Sequence, residues 1–324
     1  MAKHPPFETV IWRPSISWVQ YREEVAGAPD ARYSHFMRIH DADLPEASTS
    51  NLRAHLAGIG LASTDFQRLS AFYVDVLGYE GERTGETWTG TLEGRSLQIR
   101  HGAVNGLDYV AFALPDGRSL SHLRDRLLAA SVEFEDTETP LLGASIKLRD
   151  PDGHELVFAT GLTESPRARN AARPSRLQHV VFASDQAPAM VRFYCNIVGF
   201  LPSDYVKDGT GHLTSAFLRC SAEHHSLAIF RGPRKRLDHF CYDVGDWMCI
   251  RDWADRFAER HIPLRWGPGR HGPGNNLFFF VTDPDGNWVE FSCDLEQVEG
   301  PRPVKTWAHE ERTLNSWGAA YMRS

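Results

Sequence analysis

Three polar side chains stand inside apolar, strand-like runs. His179 lies in Leu177-Gln178-His179-Val180-Val181-Phe182, His239 in Leu237-Asp238-His239-Phe240-Cys241-Tyr242, and Glu290 in Trp288-Val289-Glu290-Phe291. Taken singly, each reads as an ordinary polar residue at a strand end. Together, two imidazoles and a carboxylate on separate strands suit a non-haem Fe(II) ion with open positions, and the same donors accept Mn(II). The turn-rich loop Gly267-Pro-Gly-Arg-His271-Gly-Pro-Gly-Asn275-Asn276 carries a further imidazole, and Glu223-His224-His225-Ser226-Leu227 carries two more. Neighbours on a strand point to opposite faces, so one of His224 and His225 can face such an ion and the other cannot.

The elements that must position these residues recur along the chain. Gly58-Ile-Gly-Leu-Ala-Ser63 returns as His179-Val-Val-Phe-Ala-Ser184, and Phe72-Tyr73 with Gly78 returns as Phe193-Tyr194 with Gly199. Both matches share one offset (179 − 58 and 193 − 72, both 121). Leu107-Asp108-Tyr109-Val110 matches Leu237-Asp238-His239-Phe240, and Asp150-Pro-Asp-Gly153 matches Asp283-Pro-Asp-Gly286. Self-similarity at this spacing marks a duplicated module. Each copy reads as a strand, a helix closed by glycine, hairpin strands, a second helix and a Pro-Asp-Gly turn, a compact α+β unit. The expected boundaries are an N-terminal extension at 1–50, a first domain at 51–163, a linker at 164–175, a second domain at 176–297 and a tail at 298–324. The first copy has Gly58, Tyr109 and Val157 where the second has His179, His239 and Glu290. The scaffold is shared and the complete ligand set occurs in one copy.

Composition narrows the class. The chain has 324 residues, 42% hydrophobic and 24% charged, with a net charge of −7. These are values of a globular protein, and the acidic balance argues against nucleic acid as a partner. No run reaches the roughly 18 apolar residues of a membrane span, and Met1-Ala-Lys-His-Pro-Pro-Phe7 lacks a signal-peptide core, so a cytoplasmic location is expected. The five cysteines (195, 220, 241, 249 and 293) form no Cys-x-x-Cys pair and read as buried free thiols.

At this point the chain resembles the type I extradiol ring-cleavage dioxygenases of the vicinal oxygen chelate superfamily, over roughly residues 56 to 320. The His-Val-Val-Phe, Leu-Asp-His-Phe and Trp-Val-Glu-Phe contexts, in this order, carry the resemblance. The loop Arg270–Asn276 and the tail around Trp307 and Asn315-Ser316-Trp317-Gly318 are most similar to the homoprotocatechuate 2,3-dioxygenase-like branch. The resemblance implies tandem βαβββ modules, each an open barrel-like sheet, with the metal in the second domain. It also implies a catechol and O2 as substrates, a homo-oligomer, and His179, His239 and Glu290 as ligands of Fe(II), with Mn(II) possible.

Further roles come with the resemblance. His225 leads a His-x-x-Ala pattern and corresponds to the acid–base residue, the kind of work a tuned imidazole does near neutral pH. His271, 19 positions before Glu290, corresponds to a histidine that hydrogen-bonds substrate. Asn275 and Asn276 either orient substrate oxygens or cap turns. Many relatives carry Tyr ten residues before the Glu ligand, and here that position is Phe280. Trp266, Phe217, His212, Trp307 and Trp317 are candidate pocket residues, suited to a planar ring with an apolar substituent. Arg265, Arg270 and Arg302 are the candidates for meeting a substrate carboxylate, none unambiguous. Two other classes fit the same scaffold. One is a different metal enzyme, a glyoxalase-like isomerase or hydroquinone dioxygenase, which Phe280 keeps open. The other is a small-molecule-binding protein, which would not need the full ligand set.

Overall fold

The computed structural model describes residues 44–46, 52–103, 106–137, 143–161 and 176–322. The expected linker and all of the N-terminal extension but residues 44–46 lie outside the described residues. Within those three, the Pro45 carbonyl accepts a hydrogen bond from the Tyr205 hydroxyl at 2.7 Å.

The chain forms two sheets, of eight and nine strands. The first contains β1 (His55–Ser63), β2 (Glu80–Thr84), β3 (Thr87–Leu92), β4 (Arg95–His101), β5 (Gly106–Leu114), β6 (Phe134–Thr137), β7 (Ser145–Arg149) and β8 (Glu155–Thr160). Its order is β2-β3-β4-β1-β5-β8-β7-β6. The second contains β9 (Arg176–Ser184), β10 (Leu201–Lys207), β11 (Leu213–Arg219), β12 (Leu227–Arg231), β13 (Arg236–Asp243), β14 (Trp266–Arg270), β15 (Leu277–Thr282), β16 (Trp288–Cys293) and β17 (Lys305–Ala308). Its order is β14-β15-β16-β13-β9-β12-β11-β10-β17. Helices α1 (Phe66–Phe72), α2 (Gly117–Ala129), α3 (Ala187–Arg192) and α4 (Trp247–Glu259) each follow the first strand of a βαβββ unit, and α5 (Glu311–Leu314) lies in the tail.

Each sheet is therefore two βαβββ units set about a pseudo-twofold between their first strands, β1 with β5 and β9 with β13. The sequence repeat of 121 residues spans such a pair. The finer repeat leaves little trace in residue types, because strands of one sheet share burial and not side chains.

Two expectations change. The helix closed by glycine is α-helical from Phe66 to Phe72 and then a π-helical turn to Leu77, closed by Gly78 at φ +84°. The second copy repeats this, with Phe193–Val198 as the π turn and Gly199 at φ +109°. The left-handed backbone is where glycine costs least. The loop expected over Gly267–Asn276 is extended in its first part. Trp266 pairs with Phe280 and Arg270 with Leu277, with a register shift between them at Pro268. β14 is an edge strand, where proline and a bulge are tolerated.

Helix positions follow their apolar spacing. In α2 the buried residues are Leu120, Leu123 and Leu127, and Asp116 caps its N-terminus by accepting the Ser119 amide at 2.8 Å. In α4, Trp253 and Phe257 pack with Phe291 of β16, at ring separations of 5.3 and 5.0 Å. That packing fixes β16, which carries Glu290. Among the described residues, no helix is long and apolar enough to cross a membrane.

Candidate metal centre

Strand register brings the three sequence-predicted ligands to one face. On β13, Cys241 pairs with both His179 of β9 and Glu290 of β16, and directly paired residues point the same way. His239 lies two residues before Cys241 on that face. Glu290 Oε2 lies 3.1 Å from His179 Nε2 and 3.3 Å from His239 Nε2. Donors at right angles around an ion with bonds of about 2.1 Å stand about 3 Å apart. Glu290 Oε2 therefore stands at about the spacing of co-ligands from each imidazole.

The pseudo-twofold explains the open side. It carries His179 onto His239, since His179 pairs with Cys241 and Val181 with His239. Glu290, paired with Cys241, is carried onto Ala228, paired with Val181. A methyl group replaces the fourth donor there, so the set is facial with room opposite.

Neighbouring groups orient the donors. Asp238 Oδ1 accepts from His239 Nδ1 at 2.8 Å, which leaves the Nε2 lone pair facing Glu290. Asn276 Nδ2 donates to Glu290 Oε1 at 3.0 Å, which leaves Oε2 to the imidazoles. Burial works against the charge of Glu290, but His179, then His239 and His271, hold its carboxyl well below the usual range. Burial likewise lowers the pKa of His239, yet Asp238 and Glu290 outweigh it and the net shift is upward. For His179 burial prevails and the shift is downward. Cys241 also reaches this face, and its Sγ with the His179 and Glu290 donor atoms lies within 4.8 Å. Burial and then the Glu290 charge push its thiol well up.

A small cavity of about 40 Å³ opens over the centre. Its walls are Val181, Phe217, Phe230, Trp266, Pro273 and Phe280, with Thr313, Leu314 and Tyr321 from the tail. His225 and His271 line it together with the three ligands. The His225 ring centre is 4.3 Å from that of His179, and its Nδ1 is 3.1 Å from Nδ1 of His224. His271 lies flat on Phe278 at 3.8 Å, with Nε2 3.6 Å from Glu290 Oε1. Phe280 pairs with Glu290 across β15 and β16, stacks on Trp266 at 5.3 Å, and puts no hydroxyl into the cavity.

Other sequence candidates are placed elsewhere. His212 is exposed on the turn between β10 and β11 and does not line the cavity. Asn275 is also exposed, in a left-handed turn at φ +55°, where its carbonyl accepts from Arg270. The asparagine that faces the centre is the next residue, Asn276, which the turn directs inward to Glu290. Trp317 is exposed, and Trp307 packs behind Phe217. Arg265 donates to Thr282, Arg270 covers the Trp317 ring, and Arg302 binds Asp204, so none of the three lines the cavity. The sequence reading missed Asp238, Cys241 and the inward role of Asn276. The run Leu237-Asp238-His239 was visible, but a carboxylate beside a ligand takes meaning only once its rotamer is known.

In the first sheet, where Tyr109 stands at the position of His239, a Cβ at Gly60 would meet the Tyr109 ring at 2.5 Å, and one at Gly58 would meet the Ser96 hydroxyl at 2.1 Å.

The family model for the Glyoxalase/Bleomycin resistance protein/Dioxygenase superfamily matches residues 176–291. An iron-dependent extradiol dioxygenase from Rhodococcus jostii is 26% identical over 68% of this chain and 80% of its own. The solved homoprotocatechuate 2,3-dioxygenase from Arthrobacter globiformis is 23% identical, with a TM-score of 0.74 over 85% of this chain and 91% of that one. The Mn(II)-bound glyoxalase from Novosphingobium aromaticivorans is 26% identical, with a TM-score of 0.71 over 86% and 93%. The family match covers residues 176–291, and the likeness in fold extends over both sheets.

Proposed function

We propose that this protein is an extradiol dioxygenase that cleaves a catechol bearing an apolar substituent, inserting both atoms of O2 beside the hydroxyl pair. One observation carries the reading. Glu290 Oε2 sits between two imidazole Nε2 atoms, while Ala228 leaves the opposite side open beside His225. Fe(II) held by His179, His239 and Glu290 would supply exchangeable positions at which a catechol and O2 meet, and Mn(II) suits the same donors. The residues do the rest. His225 takes the proton of a catechol hydroxyl and returns one as the ring opens. His271 holds a substrate oxygen by hydrogen bonding. Phe217, Phe230, Trp266 and Phe280 exclude water and clasp the ring.

The first sheet serves as scaffold and residues 298–322 as a cover for the cavity. All five cysteines are buried thiols, in keeping with a reducing, cytoplasmic compartment. Oxygen uptake by Fe(II)-loaded protein with a panel of substituted catechols tests the reading. It expects uptake with a coloured ring-cleavage product, lost in His239→Ala and Glu290→Ala. Stoichiometric metal without uptake on any catechol would instead favour an isomerase, a reading supported by Phe280 and by the likeness to a glyoxalase.

A further inference from the structure

The cavity over the metal centre is smaller than the ring it would receive. It holds about 40 Å³, whereas a site that encloses benzene needs on the order of 150 Å³. Its inner end is deeply buried, with His179 and Glu290 each 1% exposed. Among its walls Tyr321 is the most exposed, at 52%, and so marks the mouth. A ring whose oxygens reach the centre therefore has its far edge in the mouth. A substituent on that edge emerges where the Tyr321 ring stands.

The Tyr321 ring leans on two others. It meets Trp266 and Trp288 edge to face, each at 5.8 Å. These two walls are set by the sheet. Trp266 stacks on Phe280 at 5.3 Å, meets Phe278 at 4.6 Å, and its Nε1 donates to the Ala319 carbonyl at 3.0 Å. Trp288 stands two residues before Glu290 on β16, hence on the same face, and meets Phe280 at 5.5 Å.

The tail is tied down only as far as Ala319. Asn315, which is buried, accepts from the Arg270 and Trp317 amides at 3.3 and 3.1 Å, and its Nδ2 donates to the Ala319 carbonyl at 3.0 Å. Among the described residues, no hydrogen bond reaches residues 320–322, the Tyr321 hydroxyl included. Tyr321 thus closes the mouth through ring contacts, at the end of an anchored strap.

We propose that Tyr321 is a displaceable plug, whose ring occupies a subsite on Trp266 and Trp288 that takes a flat aromatic ring carried by the substrate's substituent. The exchange sets one ring in place of another on the same two tryptophans, so the edge-to-face contacts that Tyr321 gives up are made again by the substrate. The backbone moves only beyond Ala319. A methyl substituent brings no ring and leaves the plug in place. Tyr321 is in this way a specificity-determining residue, which favours substrates that can replace it. The proposal rests on the extradiol reading for the way the catechol oxygens are held.

The test is 19F NMR of full-length, Zn(II)-loaded protein carrying 3-fluorotyrosine, with the Tyr321 signal assigned by Tyr321→Phe. Titration with 4-phenylcatechol should move that signal toward the position of a solvent-exposed tyrosine. Titration with 4-methylcatechol should leave it near its starting position. Anaerobic calorimetry on Fe(II)-loaded protein then gives the ratio of the two dissociation constants. Tyr321→Ala should raise the preference for 4-phenylcatechol about tenfold, because no plug has to leave. Trp288→Leu should lower it by about the same factor, because the subsite loses a wall. A Tyr321 signal that stays in place while 4-phenylcatechol binds overturns the proposal. So does a preference that is unchanged or lowered in Tyr321→Ala. Displacement of Tyr321 without oxygen uptake on any catechol would leave the plug standing and defeat the extradiol reading. Binding of neither catechol defeats both.

Discussion

The Tyr73 hydroxyl, in the π turn of the first sheet's helix, donates to Asp283 Oδ2 of the second sheet's Pro-Asp-Gly turn at 2.9 Å. Tyr194 returns the contact to Asp150 Oδ2, also at 2.9 Å. The duplicated motifs thus bind each other crosswise, which ties the two sheets together. Burial, opposed by Asn287 and Tyr73, raises the Asp283 pKa to about 6 from an ordinary 3.8. The folded state holds this proton more tightly than the unfolded chain does. The contribution of Asp283 to stability is therefore fullest below pH 4 and is lost as pH rises through 6, on the order of 3 kcal/mol in all. Tyr73 stabilises the ionised form, so Tyr73→Phe should cost about 2 kcal/mol at pH 7.5 and about 1 kcal/mol at pH 4.5. Urea unfolding at the two pH values measures this, and an equal cost at both would contradict it.

Asp238 is a second lever, acting on metal and not on the fold. It accepts from His239 at 2.8 Å and is itself held by Arg236 Nη2 at 2.8 Å. Asp238→Asn keeps an acceptor and loses the charge, whereas Asp238→Ala loses both. Competition titration should show Fe(II) affinity falling about tenfold in the first and nearer a hundredfold in the second. Unchanged affinity in Asp238→Ala would mean that His239 is oriented by packing alone.

The proposed ligand set could be picked out because its chemistry is rare in apolar strands and because the first copy supplies a comparison at Gly58, Tyr109 and Val157. Regular elements were legible for a related reason. The second helix of the first copy is α2, whose Leu120, Leu123 and Leu127 are buried at helical spacing. The rest depended on long-range register. No local pattern announces that Cys241 stands between His179 and Glu290, that Asn276 and not Asn275 turns inward, or that Lys305–Ala308 adds a strand beside Asp204. β2 was also missed, since all five of its side chains are exposed and it has no apolar face.

Phe280 can be tested by restoring what it lacks. Its ring lies 5.1 Å from that of His239 and stacks on Trp266, so a para hydroxyl would be added at a site already shaped for the ring. One hydrogen bond to a substrate oxygen is worth about 1 kcal/mol. Phe280→Tyr should therefore tighten anaerobic catechol binding about fivefold with metal content unchanged. Weaker binding would indicate that the ring edge meets the apolar part of the substrate.

Substrate charge gives the sharpest division. Among the described residues, no Arg or Lys lines the cavity, and its one carboxylate, Glu290, belongs to the metal centre. A catechol with a carboxylate side chain would bury that charge against Phe217, Phe230 and Trp266 without a partner. Such burial costs several kcal/mol. An alkyl or aryl catechol would instead gain from the same walls, at about 25 cal/mol per Å² of apolar surface covered. Values of kcat/KM for 3-alkyl and 3-aryl catechols should exceed those for carboxymethyl catechols by about a hundredfold or more. Introducing a cation on the cavity wall, as in Phe230→Arg, should narrow that ratio by improving the acidic substrate. Equal rates for both substrate types in the unsubstituted protein would place the substituent outside the cavity, toward solvent past Tyr321.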